Sequence, residues 1–125
     1  MGAAKQDFNI EQGATFGPVL TFKTSLSVAI DLTGCVFRGQ IRKTATSTTV
    51  LATLNFQLFN QSTDAGKVKV FLTAAETSAI PVRSDASPTR STTLYAYDIE
   101  RILSDGVTVE RVLEGVIKVS PEATR

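Results

Sequence analysis

Asp105-Gly106 stands between two runs rich in strand-forming residues, 94–102 and 107–119. In that setting the pair commits the chain to a β-hairpin, because glycine reaches the positive φ that a tight turn needs. Along the second run Val107, Val109, Leu113, Ile117 and Val119 share one parity with Gly115, while Thr108, Glu110, Glu114 and Lys118 take the other, with Val112 and Val116 as exceptions. Along the first, Tyr95, Tyr97 and Ile99 match the apolar face and Asp98 and Glu100 oppose it. A period of two gives one dry and one wet face. A lone hairpin is not stable in water, so the rest of the chain has to cover that dry face.

The remaining segments read as shorter strands. Phe8-Asn9-Ile10 alternates and stops at Gly13; residues 14–22 place Phe16, Leu20 and Phe22 on one face around Pro18. Proline lacks a donor N–H, which puts that strand at a sheet edge or makes it bulge at Pro18. Residues 26–30 predict a further strand, followed by a turn at Asp31-Leu32-Thr33-Gly34. Cys35, Phe37, Gly39 and Ile41 then alternate with Val36, Arg38, Gln40 and Arg42, and residues 50–58 and 67–72 alternate in the same way. Thr73-Ala74-Ala75-Glu76 is a capping box that opens a short helix near 74–80, stopped by Pro81. Residues 82–93 are polar and predict a mobile exposed loop, a candidate contact site.

This spacing, with no alternation of strands and helices, predicts an all-β, mainly antiparallel two-sheet sandwich of roughly seven or eight strands. A small barrel is the alternative. The expected organisation is a flexible N-terminal segment at 1–7, one domain at 8–120 and a polar tail at 121–125. Phe16, Phe22, Phe37, Phe56, Val70, Tyr97, Leu113 and Ile117 are the expected core, with Arg38, Gln40 and Arg42 outside.

Chemistry finds little to work with. There is no histidine, which removes the commonest general base and the commonest zinc ligand. The single Cys35 excludes an internal disulfide and reads as a small buried hydrophobe. Asp31, Asp64 and Asp105 sit in predicted turns, and the hairpin carboxylates lie on a wet face beside arginines and lysines. No phosphate loop, metalloprotease helix or nucleophile elbow is present. The reading is therefore of a non-enzyme without cofactor or metal. A net charge of +1 and no basic stripe argue against nucleic acid. No run approaches the about 18 apolar residues of a membrane span, and the start lacks the apolar stretch of a signal peptide.

Phe8-Asn9-Ile10-Glu11-Gln12-Gly13-Ala14-Thr15-Phe16, Ile30-Asp31-Leu32-Thr33-Gly34-Cys35 and Gln40-Ile41-Arg42 resemble the opening of a family of small virion proteins of tailed bacteriophages and prophages. Tyr97-Asp98-Ile99-Glu100, Ser104-Asp105-Gly106, Leu113-Glu114-Gly115 and the segment from Val119 through Ser120 and Pro121 to Arg125 resemble its close. The resemblance implies an Ig-like sandwich of the upper-baseplate type, acting in the virion as a tail, baseplate or fibre-attachment component made in the host cytoplasm. A capsid decoration protein is the alternative. A glycan-binding module is disfavoured by the absence of tryptophan and by tyrosines in register with the core. The implied partners are other phage structural proteins, met in repeated copies. Such contacts use edges, loops and termini, which nominates Lys5, Gln6, Asp7, Pro18, Arg83, Arg90 and Arg125 as interface residues.

Overall fold

The computed structural model describes residues 3–82 and 92–121. Its strands are β1 (Ala4–Lys5), β2 (Phe8–Glu11), β3 (Val19–Thr21), β4 (Val36–Arg42), β5 (Val50–Thr53), β6 (Asn55–Leu58), β7 (Lys67–Phe71), β8 (Thr93–Ile102) and β9 (Val109–Ser120), with helix α1 (Ala74–Ser78) after β7. They form two sheets. The larger runs β1-β9-β8-β4-β5, with β2 also on β9, and the smaller runs β3-β7-β6. Taking β3 to β9 as strands B to G of an immunoglobulin-like sandwich, with β5 as C′, reproduces the G-F-C-C′ and B-E-D sheets in order. The expected all-β sandwich is the fold observed.

The hairpin of β8 and β9 is its spine, and its turn is wider than a two-residue loop. Leu103 donates to Thr108 O and Gly106 to Leu103 O, both at 2.9 Å, and Gly106 has φ 75°. The Asp105 carboxylate accepts from the Val107 and Thr108 N–H groups at 2.8 Å and from the Thr108 hydroxyl at 2.6 Å. The Thr108 hydroxyl and these amides hold the Asp105 carboxyl below the usual carboxylate range. Further along, Leu113 faces Ile99 but Arg111 faces Glu100, so Val112 is an extra, unpaired residue. This bulge reverses the parity of the strand toward its tip. Val109, and Val107 in the turn beyond, were expected inside and lie exposed for that reason.

Other expectations change as well. Residues 4–7 were expected to be free of the domain, yet β1 and β2 run parallel to β9, with Ala4 beside Leu113 and Phe8 beside Ile117. Residues 26–30 were expected to form a strand, but only a Lys23–Ala29 bridge forms, closed by a turn in which Ser27 has φ 62°. Thr24 accounts for this: its carbonyl and hydroxyl oxygens accept from Ser27, Leu26 and Val28. A local turn thereby outcompetes the ladder.

The core between the sheets holds Phe16, Phe37, Val70, Tyr97, Leu113 and Ile117 as expected, together with Ile10, Leu32, Ile41 and Leu72. Phe22 and Phe56 are half-buried and pack against Phe37, with ring centres 5.6 and 5.8 Å away. Cys35 is half-buried against the same core. Arg38 is exposed, while Gln40 and Arg42 are half-buried on the outer face of the larger sheet. The capping box is present: Glu76 N donates to Thr73 Oγ1 at 3.2 Å and Thr73 N to Glu76 Oε1 at 2.9 Å. Glu76 also accepts from Asn55 Nδ2 at 2.9 Å, which ties the helix to β6.

Tyr95, near the start of β8, donates its hydroxyl to Pro81 O at 2.5 Å, the tyrosine-corner arrangement of immunoglobulin-like domains. Two residues on, where such domains commonly carry a disulfide cysteine, Tyr97 packs on Phe8 with ring centres 5.4 Å apart. Tyr95→Phe keeps the ring and removes the bond. It is expected to cost about 1 kcal/mol, read as a drop of a few degrees in thermal denaturation.

Candidate protein-interaction surface

The outer face of the larger sheet is charged but largely self-paired. Arg38 Nε meets Glu100 Oε1 at 2.7 Å and Arg111 Nε lies 3.6 Å from Asp98. Arg101 has the parity of the buried Tyr97 and Ile99 instead; it lies mostly buried opposite Phe37, and its Nη2 meets Glu110 Oε2 at 2.9 Å. A hollow of about 110 Å³ opens on the outer face between Gln40, Arg42, Asp98, Arg111 and Glu114. Arg42 beside it is spent on Ser47 O at 2.7 Å and Gln40 Oε1 at 2.6 Å. Among the described residues no group of three or more His, Cys, Asp or Glu is placed to hold a metal ion. Paired charges on an exposed sheet face are a common solvation pattern and contribute little to stability.

The end of the sandwich that carries the turns after β3 and β8 has a different character. Leu26 is 84% exposed and Val107 is 81% exposed, the highest values among the exposed large hydrophobics of the described residues. Leu26 is held out at the tip of the Thr24 turn, and Val107 follows the Asp105 turn. Val28, Val36 and Val109 are exposed at the same end. The ladder sets Val36 opposite Ile102 and Ile102 opposite Val109, so three apolar side chains line up across neighbouring strands. The two loops are seated together, since a side-chain carbon on Gly34 would come within 3.0 Å of Ser104 Cβ. Single exposed valines are ordinary, and large apolar residues gathered on two neighbouring turns make this end the candidate contact surface.

The nominated interface residues do not converge on this end. Gln6 N donates to Glu114 O at 3.0 Å, its carbonyl accepts from the Tyr97 hydroxyl, and Asp7 Oδ1 accepts from Val116 N at 3.0 Å. These two residues therefore fasten the first strands to β9, which corrects their assignment as a free contact segment. Burial, and then the Asp7 charge, push the Tyr97 hydroxyl above its ordinary pKa. Lys5 is exposed in β1 opposite Glu114. Pro18 precedes β3, an edge of the smaller sheet as expected, and its carbonyl accepts from Val70 N at 3.1 Å. Arg83, Arg90 and Arg125, with most of the polar 82–93 segment, lie outside the described residues. The apolar tips escaped the sequence reading because alternation assigned Leu26, Val107 and Val109 to strands. The available signal was the Thr-Ser-Leu-Ser-Val pattern, a turn-forming string with a large apolar residue at its centre.

No family model and no curated protein matches the chain. Among solved structures, Tim-1 is similar over 98% of this chain and 97% of its own, at 14% identity and a TM-score of 0.40.

Proposed function

We propose that this chain is a structural component of a tailed-bacteriophage particle, working by protein–protein contact at the tail, baseplate or fibre attachment. The family reading rests on the resemblance of the segments at 8–16, 30–35, 40–42, 97–100, 104–106, 113–115 and 119–125. The observation that carries the contact reading is the apolar end built from Leu26, Val28, Val36, Val107 and Val109. Desolvating such side chains against a partner gives association its main driving force. In a particle the partner is another structural protein, met in repeated copies.

The test is a doubly charged end. Leu26→Asp with Val107→Asp is expected to leave the melting temperature nearly unchanged, because both side chains are already in water. Incorporation into particles, measured as occupancy beside the unaltered protein, is expected to fall severalfold. Equal occupancy of the two proteins would remove this end from the interface.

A further inference from the structure

The sandwich has open strand edges, and they are not alike. The β3 edge is guarded by Pro18 and Lys23, and the β1–β2 edge carries Lys5, Asp7 and Glu11. Proline and charge are the usual means by which an edge resists pairing with another chain. The remaining side has neither. There β5 ends the larger sheet and β6 ends the smaller one, and both belong to one continuous stretch. Leu54 still donates to Gly39 O at 2.9 Å, and Asn55 already pairs with Phe71, so the strand changes sheets at that step. Between Lys43 and Asp64 the sequence holds no charged residue and no proline. Among its exposed or half-exposed side chains are Thr49, Val50, Leu51, Thr53, Gln57 and Leu58.

The backbone on this side is also unspent. Thr53 faces Gln40 while Leu54 bonds to Gly39, and antiparallel ladders alternate bonded and unbonded positions. The Thr53 N–H and C=O therefore point away from β4. Among the described residues no further strand pairs with β5. The nearest arginine, Arg42, is held by Ser47 and Gln40 within its own chain.

We infer that β5 is a strand-addition edge whose occupant is β5 of a second copy, the two running antiparallel about a twofold axis so that two larger sheets become one. The absence of charge selects this partner. Near a twofold axis each side chain faces the same region of the other copy, so any charge there would meet its like. A stretch stripped of charge, rich in threonine and valine and carrying outward-pointing backbone groups, is what self-pairing requires. The contact is separate from the Leu26 and Val107 end, and a particle of repeated copies can use both.

Sedimentation equilibrium of the full chain from micromolar to millimolar concentration tests this. A reversible monomer–dimer equilibrium is expected, retained by Thr53→Ser and lost in Thr53→Lys, whose side chain stands in water in the monomer. Thermal denaturation at low concentration shows that the lysine variant is folded. The Leu26→Asp, Val107→Asp protein is expected to dimerise as the unaltered chain does, which separates this contact from the loop end. A chain that stays monomeric to millimolar concentration overturns the proposal and leaves the edge to a strand of another protein. A dimer that survives Thr53→Lys, or one abolished by the loop-end substitutions, also overturns it.

Discussion

Gly115→Ala is expected to destabilise the protein by roughly 2–3 kcal/mol, because its new methyl would overpack a closed contact. Gly115 sits in β9 where the first segment of the chain crosses closest. A Cβ placed there would lie 2.2 Å from Gln6 O and 3.0 Å from Asp7 Oδ1. The Gln6 carbonyl cannot rotate away like a side chain, since it accepts from Tyr97 and its residue is bonded to Glu114. The segment at 4–7 would have to lift, losing the Ala4 and Lys5 pairings and the Asp7 bond to Val116. A chain lacking residues 1–7 is expected to lose a comparable amount through the same contacts. Combining the two changes should then cost little more than the truncation alone, because the clash has lost its partner. Urea unfolding of the four proteins gives the cycle. Additive losses would show that Gly115 acts on something other than this segment.

Ile117→Ala is expected to cost 2–5 kcal/mol, about 10 °C or more in melting temperature for a domain of this size. Ile117 is fully buried on β9, between Phe8 of β2 on one side and Tyr95 of β8 on the other. Removing its branched end leaves a void that neighbours on two paired strands cannot close by shifting. Ile117→Val, which removes one carbon, is expected to lose about 1 kcal/mol. A loss from the alanine variant within about half a kcal/mol, the range of ordinary surface changes, would mean that β9 presents its other face to the core.

What the sequence announced was local. Asp105-Gly106 and the Thr73–Glu76 box specify their turn and helix end through neighbouring backbone groups, and both are present. Alternation through Phe37 and Ile41 placed β4, and Pro18 placed an edge. Features that depend on distant partners went unread. Nothing in Ala4-Lys5-Gln6-Asp7 announces a parallel ladder with residues more than a hundred positions away, since pairing of that kind has no local pattern. Val112 shows in the sequence only as an apolar exception on the wet face, yet as the bulge residue it decides which way Val109 faces. At the apolar end, Leu26 looked like the start of a strand because Val28 and Ile30 follow it at strand spacing. Hydrogen bonds to Thr24 decide otherwise.

The parallel seating of β2 on β9 has a mechanical consequence. Phe8 lies beside Ile117 and Glu11 beside Ser120, so the two strands run the same way along a shared ladder. A pull on the chain ahead of β2 and an opposite pull beyond β9 would slide the strands along each other. The ladder bonds would then carry the load together, where a hairpin opened from its end breaks them one at a time. Force applied through the two ends of the domain therefore meets this short ladder as a shear lock before it reaches the core.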